Sequence, residues 1–339
     1  MTDSRQEVRY TPIIKWQQYE QKALSFLKDD VKKVVFPCLE VRDSKQHETL
    51  TTNFEEVWNA PAMVDYSNPS GKLTDVRISE LKDFLALAVK NKYPISAVLN
   101  PMDFIALANP SLIKSILKHS DVVFRLRLPD YLPEEEHVDA CRHALSLFPE
   151  KKRHIIFDLC NAPEIPGNVD CARLGTGIRR IIALGFDKAY FISGAFPSTL
   201  VSVKGGTKDF LRNDLALWKI FKAQNPLLKI IYGDYGILSP GWTEEILTRR
   251  GGSVAIRYTC NNSWFILRGT NATKSESRAL SILLVNAYPA KFKNAEFSWG
   301  DKLIADRADA SLPDRAVKAG HYHFAEAWNH HITYVVKED

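Results

Sequence analysis

Residues 229–236, KIIYGDYG, form a short apolar run that stops on Asp234 and then on a glycine. Similar runs recur along the chain, and a segment with helical periodicity separates each run from the next. Strands that alternate with helices of this length have to pair in parallel, because each helix is the crossover to the next strand. The stretch is therefore predicted to be a late turn of a repeated β-α unit.

Eight strands are predicted up to and including this stretch, at residues 11–14, 34–41, 62–66, 95–100, 121–128, 154–159, 189–193 and 229–236. No glycine-rich phosphate fingerprint follows the first strand, which favours a closed (β/α)8 barrel of the TIM-barrel type over an open Rossmann sheet. Residues 253–258 would be a ninth strand. Either the barrel begins at residue 11 and the ninth strand lies outside it, or the barrel runs from residue 34 to 258 and the first strand caps its base.

The C-terminal part of the chain has a different pattern. SVAIRYT (253–259) and WFILRG (264–269) are separated only by the turn-rich CNNS (260–263), which predicts an antiparallel β-hairpin. A helix is predicted at residues 277–286 and a final strand at 332–336. We expect residues 1–252 to form the barrel-like core, and residues 253–339 to be an extension that packs on it within the same domain.

Composition limits the class of protein. The 339 residues are 45% hydrophobic and 25% charged, as in ordinary globular chains. The formal net charge of +5 is too small for a dedicated nucleic-acid binder, although a local basic patch is compatible with it. Five cysteines without a CxxC pair argue against a disulfide framework or a zinc cage. The polar start, MTDSRQEVRY, and the lack of a long apolar run predict a cytoplasmic protein with no membrane partner.

Three acids lie at the ends of different predicted strands. In a (β/α)8 barrel the active site is where the C-terminal strand ends meet, so Asp65, Asp158 and Asp234 are the predicted catalytic residues. They would hold a divalent metal for hydrolysis, or divide acid and base roles between them. The alternative is that each acid caps the following helix or pairs with Arg125 or Arg42. Asp234 is the strongest candidate, because its flanking glycines allow a ligand to approach the backbone.

Basic residues suggest an anionic substrate. Arg125 and Arg127 are two residues apart and share one face of a strand. Facing inward they would suit a phosphate or carboxylate, whereas facing outward they would meet acids of the neighbouring helices. Arg257 and Arg268 of the hairpin add to the case for anion binding. The predicted substrate-binding set is Lys15, Glu40, Arg125, Arg257, Tyr258 and Arg268.

Three further features each have two interpretations. Lys15 at a strand end is either a Schiff-base lysine or a solvated lysine that begins a helix. The Lys-Gly-Gly segment at residues 204–206 either cradles phosphate through its backbone amides or is an ordinary loop. The histidines near the C-terminus either form a zinc site or make structural hydrogen bonds, and two adjacent ones on a strand would point to opposite faces: His321, His323, His330 and His331.

Several local patterns occur in a characteristic order: YTPIIKWQQYEQKAL (10–24), PCLEV (37–41), VDYS (64–67), GDYG (233–236), IRYT (256–259), WFILRG (264–269), WGD (299–301) and NHHITYVV (329–336). In this order they resemble the "beta protein" family of phage and bacterial genomes over nearly the whole chain. The resemblance implies a barrel-like fold and a role in phage biology or antiphage defence. It brings no catalytic assignment.

Two functional hypotheses follow. The first is a phosphodiesterase-like hydrolase of a phosphorylated or otherwise anionic substrate, a nucleotide or nucleic acid, with a divalent metal as a compatible cofactor. The second is a non-catalytic binding module for a partner protein or a nucleic acid. It is favoured by the lack of a high-specificity catalytic motif and by the aromatic residues of the tail: Trp299, Tyr322, Phe324 and Trp328.

Overall fold

The computed structural model describes residues 7–241, 253–313 and 323–339. The chain divides into two compact units, each built from separate stretches of sequence. The first, here called the barrel unit, contains residues 1–16, 34–194 and 213–235. The second, here called the sheet unit, contains residues 17–33, 195–212 and 236–339.

The strands of the described residues are β1 (Ile13–Lys15), β2 (Cys38–Glu40), β3 (Ala62–Asp65), β4 (Ile95–Leu99), β5 (Asp121–Arg127), β6 (Lys152–Asn161), β7 (Lys188–Gly194), β8 (Gly206–Leu211), β9 (Ile231–Asp234), β10 (Ala255–Thr259) and β11 (Ser263–Arg268). The α-helices of the same residues are α1 (Gln18–Ser25), α2 (Asp29–Lys32), α3 (Ser44–Val57), α4 (Asp75–Asn91), α5 (Phe104–Leu107), α6 (Pro110–Ile116), α7 (Glu135–Ser146), α8 (Cys171–Ile182), α9 (Asn213–Gln224), α10 (Lys274–Ile282), α11 (Trp299–Ala308) and α12 (His323–Glu338).

The barrel unit is an eight-stranded parallel sheet that closes on itself. Its strand order is β1-β2-β3-β4-β5-β6-β7-β9, with every neighbouring pair parallel. Tyr10, just before β1, forms parallel bridges to both Val35 and Tyr232, and the amide of Thr11 donates to the carbonyl of Tyr232 at 3.0 Å. The predicted (β/α)8 fold is therefore confirmed, and the barrel begins at the first predicted strand.

The helices of the barrel unit start at polar side chains that cap them. The Asp43 carboxylate accepts from the amide of Gln46 at the start of α3, and the Asp170 carboxylate accepts from the amide of Arg173 at the start of α8. Such caps satisfy backbone donors that have no partner within the helix. Helix α4 then buries one stripe of side chains, Ile78, Leu81, Phe84, Leu85 and Ala88, as its periodicity predicts.

A layer of apolar side chains fills the interior of the barrel. It is a buried cluster drawn from most of the strands: Ile13, Phe36, Cys38, Met63, Val98, Val123, Ile156, Tyr190, Ile192 and Tyr235. The barrel is thus packed by side chains, as in other barrels of eight strands, and is not an open pore.

The sheet unit contains a three-stranded antiparallel sheet in the order β10-β11-β8. The predicted hairpin is β10 and β11, so the ninth predicted strand lies outside the barrel sheet. Strand β8 was not predicted, because residues 206–211 fell in the predicted loop and the start of a predicted helix. Gly206 begins this strand, so the Lys-Gly-Gly segment leads into a sheet.

The predicted final strand at residues 332–336 is wrong, because these residues belong to helix α12. The prediction rested on residues 332–336, ITYVV, because β-branched and aromatic residues favour strands on a half-buried surface. In α12 nearly every side chain from His323 to Val336 is buried, on all sides of the helix. Burial in tertiary contacts therefore overrides the intrinsic preference of these residues.

Closure of the barrel depends on Gly233. A Cβ at this position would lie 2.0 Å from the carbonyl oxygen of Thr11 and 2.3 Å from Cδ1 of Ile192. Gly233→Ala should therefore destabilise the protein by about 3 kcal/mol, measured by urea denaturation, because backbone has to move.

Gly167→Ala is the matched control in the same unit. An added methyl at Gly167 has nothing within 4 Å, and its φ lies outside the left-handed region. This variant should change the free energy of unfolding by less than about 1 kcal/mol. Equal stability of the two variants would show that the β1 to β9 contact does not close the barrel.

Candidate functional site

A layer of charged side chains lies one step above the apolar layer of the barrel. Side chains alternate along a strand, so residues two positions after an inward residue also point inward. Five strands have such a pair at or near their C-terminal ends: Ile13 and Lys15, Cys38 and Glu40, Met63 and Asp65, Val123 and Arg125, and Ile156 and Asp158. The C-terminal strand ends thus form a charged rim.

The guanidinium of Arg125 is the centre of this rim. Its Nη1 lies 2.8 Å from Oε1 of Glu40 and 2.7 Å from Oδ2 of Asp65. Its Nε and Nη2 lie 2.9 and 2.8 Å from Oδ2 of Asp158, and Nη2 donates to the hydroxyl of Tyr235 at 2.8 Å. Arg125 and the three carboxylates are each at most 2% exposed. Arg125 therefore faces inward, as one of the two predicted orientations requires.

Two more arginines surround this centre. Arg42 lies 2.6 Å from Oε1 of Glu40 and donates to the carbonyl of Ser67 at 3.1 Å. Arg127 donates to the hydroxyl of Ser67 at 3.3 Å and lies 3.8 Å from Oδ2 of Asp65. Within the residues that the structure describes, Nε of Arg42 and Nη1 of Arg127 have no hydrogen-bond acceptor. Both nitrogens are buried, so each is a buried donor without an acceptor among these residues.

The carboxylate oxygens of Asp65 and Asp158 are already occupied. In Asp65, Oδ1 accepts from the amide and the hydroxyl of Ser67, and Oδ2 accepts from Arg125. In Asp158, Oδ1 accepts from the amide of Cys160, and Oδ2 accepts from Arg125. The alternative interpretation of these acids, an ion pair with Arg125, is thus what the structure contains, and their catalytic role stays a prediction.

Electrostatics keep the rim charged. Burial would raise the pKa of Glu40, but the guanidinium groups of Arg42 and Arg125 outweigh burial and hold that pKa well below its ordinary value. Burial would lower the pKa of Arg125, but Tyr235 and the carboxylates raise it further above its ordinary value. Burial also raises the pKa of Tyr235, so its hydroxyl stays protonated and donates to Asp158 at 2.7 Å.

Asp234 belongs to the other face of its strand. Ile231 and Tyr235 pack against the interior cluster, so the side chains of Tyr232 and Asp234 point to the opposite side of β9. The hydroxyls of Tyr10 and Tyr232 donate to Asp234 at 2.5 and 3.0 Å. Gly233, the residue before Asp234, leaves room for the backbone of Thr11. The sequence had suggested another role for this glycine, the approach of a ligand to the backbone.

Lys15 ends β1 in register with Glu40, which is in turn in register with Asp65. It is 8% exposed, and its charge contributes to the lowered pKa of Glu40. This burial does not match a solvated lysine at the start of a helix. A Schiff-base role stays a prediction.

The sheet unit contains the other predicted binding residues. Arg268 donates from Nε to the hydroxyl of Ser253 at 2.7 Å and also to the carbonyl of Leu200. The guanidinium of Arg257 lies over the ring of Phe324 at 3.9 Å. Both arginines lie on one face of the hairpin. Arg268 pairs with Ala255, and Arg257 pairs with Ile266, which is two positions before Arg268.

Tyr258 and the histidines of α12 make structural contacts. The Tyr258 hydroxyl donates to Oδ1 of Asp301 at 2.6 Å, and the Tyr258 ring stacks on His330 at 4.0 Å. His330 Nδ1 lies 2.8 Å from Oδ2 of Asp301, and its Nε2 lies 2.9 Å from the carbonyl of Thr259. His331 Nδ1 lies 2.9 Å from the Thr259 hydroxyl. The hydrogen-bonding interpretation therefore applies to these two histidines.

No metal cage is found within the described ranges: no group of three or more His, Cys, Asp or Glu side chains there is arranged to hold an ion. His321 and Tyr322, which the sequence analysis singled out, lie outside the described residues. A surface groove of about 260 Å³ lies in the barrel unit between the loops that follow β5 and β6, lined by residues such as Tyr131 and Arg173. None of the rim charges lines it.

Two contributors to the rim were not predicted as site residues. Tyr235 follows directly after Asp234. It lies four residues after Ile231 and two after Gly233, and this even spacing was the available signal that it faces inward. Ser67 follows β3 by two residues, and only the folded chain shows that it binds Asp65 and two arginines.

A closed ring of eight parallel strands with a charged rim at the C-terminal strand ends defines a (β/α)8 barrel protein. The chain belongs to the Beta protein family, whose family model matches residues 10–337. Among the curated proteins none matches this chain. No helix of the described residues is long and apolar enough to cross a membrane.

The chain has distant similarity to several solved structures. An arginine decarboxylase of Paramecium bursaria Chlorella virus is 12% identical with a TM-score of 0.41, covering 67% of this chain and 57% of the decarboxylase chain. The same enzyme bound to agmatine is 11% identical with a TM-score of 0.37, covering 68% of this chain and 57% of that one. The spore coat polysaccharide biosynthesis protein SpsE of Bacillus subtilis is 11% identical with a TM-score of 0.34, covering 77% of this chain and 85% of SpsE. This chain thus spans less than two thirds of the decarboxylase.

Replacing Arg125 should lower the stability of the protein. Arg125→Met leaves Glu40, Asp65 and Asp158 buried without their shared cation, so we expect a loss of about 3–5 kcal/mol in the free energy of unfolding, measured by urea denaturation. Arg142→Met is the control, because Arg142 pairs with Asp139 on the surface with both side chains about 60% exposed. That change should cost less than about 1 kcal/mol. Similar losses in both variants would mean that the rim does not depend on Arg125.

Proposed function

We propose that the protein binds a small anionic ligand, carrying a phosphate or a carboxylate, at the charged rim of the barrel. The observation that carries the proposal is a pair of buried donors, Nε of Arg42 and Nη1 of Arg127, that have no acceptor within the described part of the chain. They belong to side chains that are 16% and 12% exposed. Guanidinium groups of this kind bind planar or tetrahedral anions through two hydrogen bonds.

The position of these arginines supports the proposal. Arg127 ends β5, and Arg42 follows the end of β2 by two residues, so both lie at the C-terminal strand ends where barrels carry their sites. The ion pairs beneath them fix their orientation, because Glu40 and Asp65 contact Arg125 on one side and Arg42 or Arg127 on the other. A ligand would therefore meet donors that are already oriented.

Binding of inorganic phosphate to the full chain tests this proposal by calorimetric titration. Arg127→Met should weaken the rim component of binding at least about tenfold, because a charge-assisted hydrogen bond is lost. The matched control is Arg153→Met. Arg153 lies near the start of β6, at the other end of the strands, and its Nε also has no acceptor within the described residues.

The control variant should bind phosphate like the wild type. Equal binding by wild type and Arg127→Met would rule out the rim as the site, and an equal loss in both variants would point to a general effect of charge. Because Arg127 is half-buried, the melting temperature of each variant has to be recorded alongside its affinity.

Hydrolysis of the bound anion is the second candidate function. The position of Asp65 and Asp158 at the rim supports it, and the occupation of their oxygens by Arg125, Ser67 and Cys160 weighs against it. We expect no turnover of nucleotide phosphoesters by the wild type, with or without added divalent metals. Turnover that is lost in Asp158→Asn, with the fold retained, would replace binding by hydrolysis as the function.

The setting proposed for this activity is the cytoplasm of bacteria that carry phages or mobile elements, with a role in antiphage defence. Its support is the family resemblance alone. The test compares the plating efficiency of phages on cells that express the wild-type chain and on cells that express Arg127→Met. Equal plating efficiency on both would argue against a role of the rim in antiphage defence. Recognition of a nucleic acid or a partner protein stays the alternative prediction.

A further inference from the structure

One face of the antiparallel sheet in the sheet unit contains a concentration of positive charge. Paired residues of neighbouring antiparallel strands share a face, so Arg257, Ile266 and Lys208 form one row across the sheet. The next row contains Ala255, Arg268 and a glycine. Arg257 and Arg268 are therefore diagonal neighbours.

Arg257 is half-buried without a counter-ion. Within the described residues its guanidinium forms no ion pair and no hydrogen bond, its Nε is buried without an acceptor, and it lies over the ring of Phe324 at 3.9 Å. Burial first, and then the positive charge of Arg268, lower its pKa to about 10. Burying a cation without a partner is costly, so the environment of Arg257 is unfavourable as it stands.

A second buried nitrogen without a partner lies nearby. His323 immediately precedes Phe324, is 4% exposed, and has no hydrogen-bond partner at Nε2 within the described residues. Its Nδ1 lies 3.3 Å from Oε2 of Glu326. That carboxylate is held by Arg307, which donates to Oε1 of Glu326 at 2.5 Å and also to Oε2. Glu326 is thus already neutralised and does not compensate Arg257.

We propose that Arg257 and Nε2 of His323 form a binding site for a phosphate group on the sheet unit, separate from the rim of the barrel. The guanidinium supplies N–H donors to the phosphate oxygens, and the face of Phe324 holds the guanidinium in place. The bound anion supplies the negative charge that the described surroundings of Arg257 lack.

The histidine favours phosphate over other anions. The ring nitrogen Nε2 is a donor in one tautomer and an acceptor in the other. A singly protonated phosphate has both acceptor oxygens and one O–H, so it satisfies either tautomer. At neutral pH sulfate and acetate have acceptor oxygens but no O–H donor. They therefore satisfy the tautomer of His323 in which Nε2 donates, and leave Nε2 of the other tautomer unpaired.

The test is calorimetric titration of the full chain with inorganic phosphate, with sulfate and acetate as comparison anions. Arg257→Met should weaken one component of phosphate binding at least about tenfold, since the charged donor is lost. Sulfate should bind this component more weakly than phosphate. Lys208→Met is the matched control, because Lys208 is a cation on the same face of the sheet that contacts the ring of Phe210 at 4.9 Å. It should leave phosphate binding unchanged.

Thermal melting separates a binding role from a structural one. Without phosphate, Arg257→Met should melt at or above the temperature of the wild type, because an uncompensated cation is replaced by an apolar chain that still packs on Phe324. Phosphate should raise the melting temperature of the wild type more than that of Arg257→Met. A variant that melts lower and binds phosphate like the wild type would overturn the proposal.

The rim variant keeps the two proposals distinguishable. Arg127→Met should remove the rim component of phosphate binding and leave the component that depends on Arg257. If Arg257→Met abolished both components, the sheet unit would have no separate site. If Arg127→Met had no effect while Arg257→Met did, the rim proposal would fail and the present one would stand.

Discussion

The rest of the barrel rim depends on one buried guanidinium. Arg125 on β5 is within 2.9 Å of carboxylates from β2, β3 and β6, and of the hydroxyl of Tyr235 just after β9. A buried carboxylate without a cation would be strongly unfavourable, and so would the cation alone. The four charges are therefore stable only together, and the ends of four strands are fixed relative to β5 by this set of contacts.

This arrangement changes what the acidic residues mean for function. Acids at strand ends in a barrel suggest proton transfer or metal binding, since that is where barrel enzymes place such groups. Here the oxygens of Asp65 and Asp158 accept hydrogen bonds from within the barrel unit. Burial would raise the pKa of Glu40, but Arg42 and Arg125 outweigh it and hold that pKa below its ordinary value. The groups with unused donors are the outer arginines, Arg42 and Arg127. The rim therefore favours the proposed binding of an anion over proton transfer or metal binding.

Local sequence patterns predicted much of the fold. Where the prediction from sequence failed, the failure has a physical cause. The eight barrel strands were predicted because each is a short apolar run followed by a helical period. Strand β8 was missed because its sequence, GTKDFL, contains no run of apolar residues. All but one of its residues are exposed, so the strand does not need one. Helix α12 was predicted as a strand because residues 332–336 are β-branched or aromatic, and only burial on all sides of residues 323–336 makes a helix the better solution. The division into units that combine distant stretches has no local signal, and the predicted boundary at residue 252 stays a prediction.

The sequence by itself determined the alternation of strands and helices, and with it the parallel barrel and the rim of polar strand ends, because these depend on hydrophobic periods of a few residues. Tertiary structure decided which partners those residues have. Arg125 meets Glu40 across 85 residues and Tyr235 across 110, and no local pattern encodes such contacts. It also decided that Asp234 faces away from the interior, because the position of Tyr235 in the apolar layer fixes the orientation of every side chain on β9.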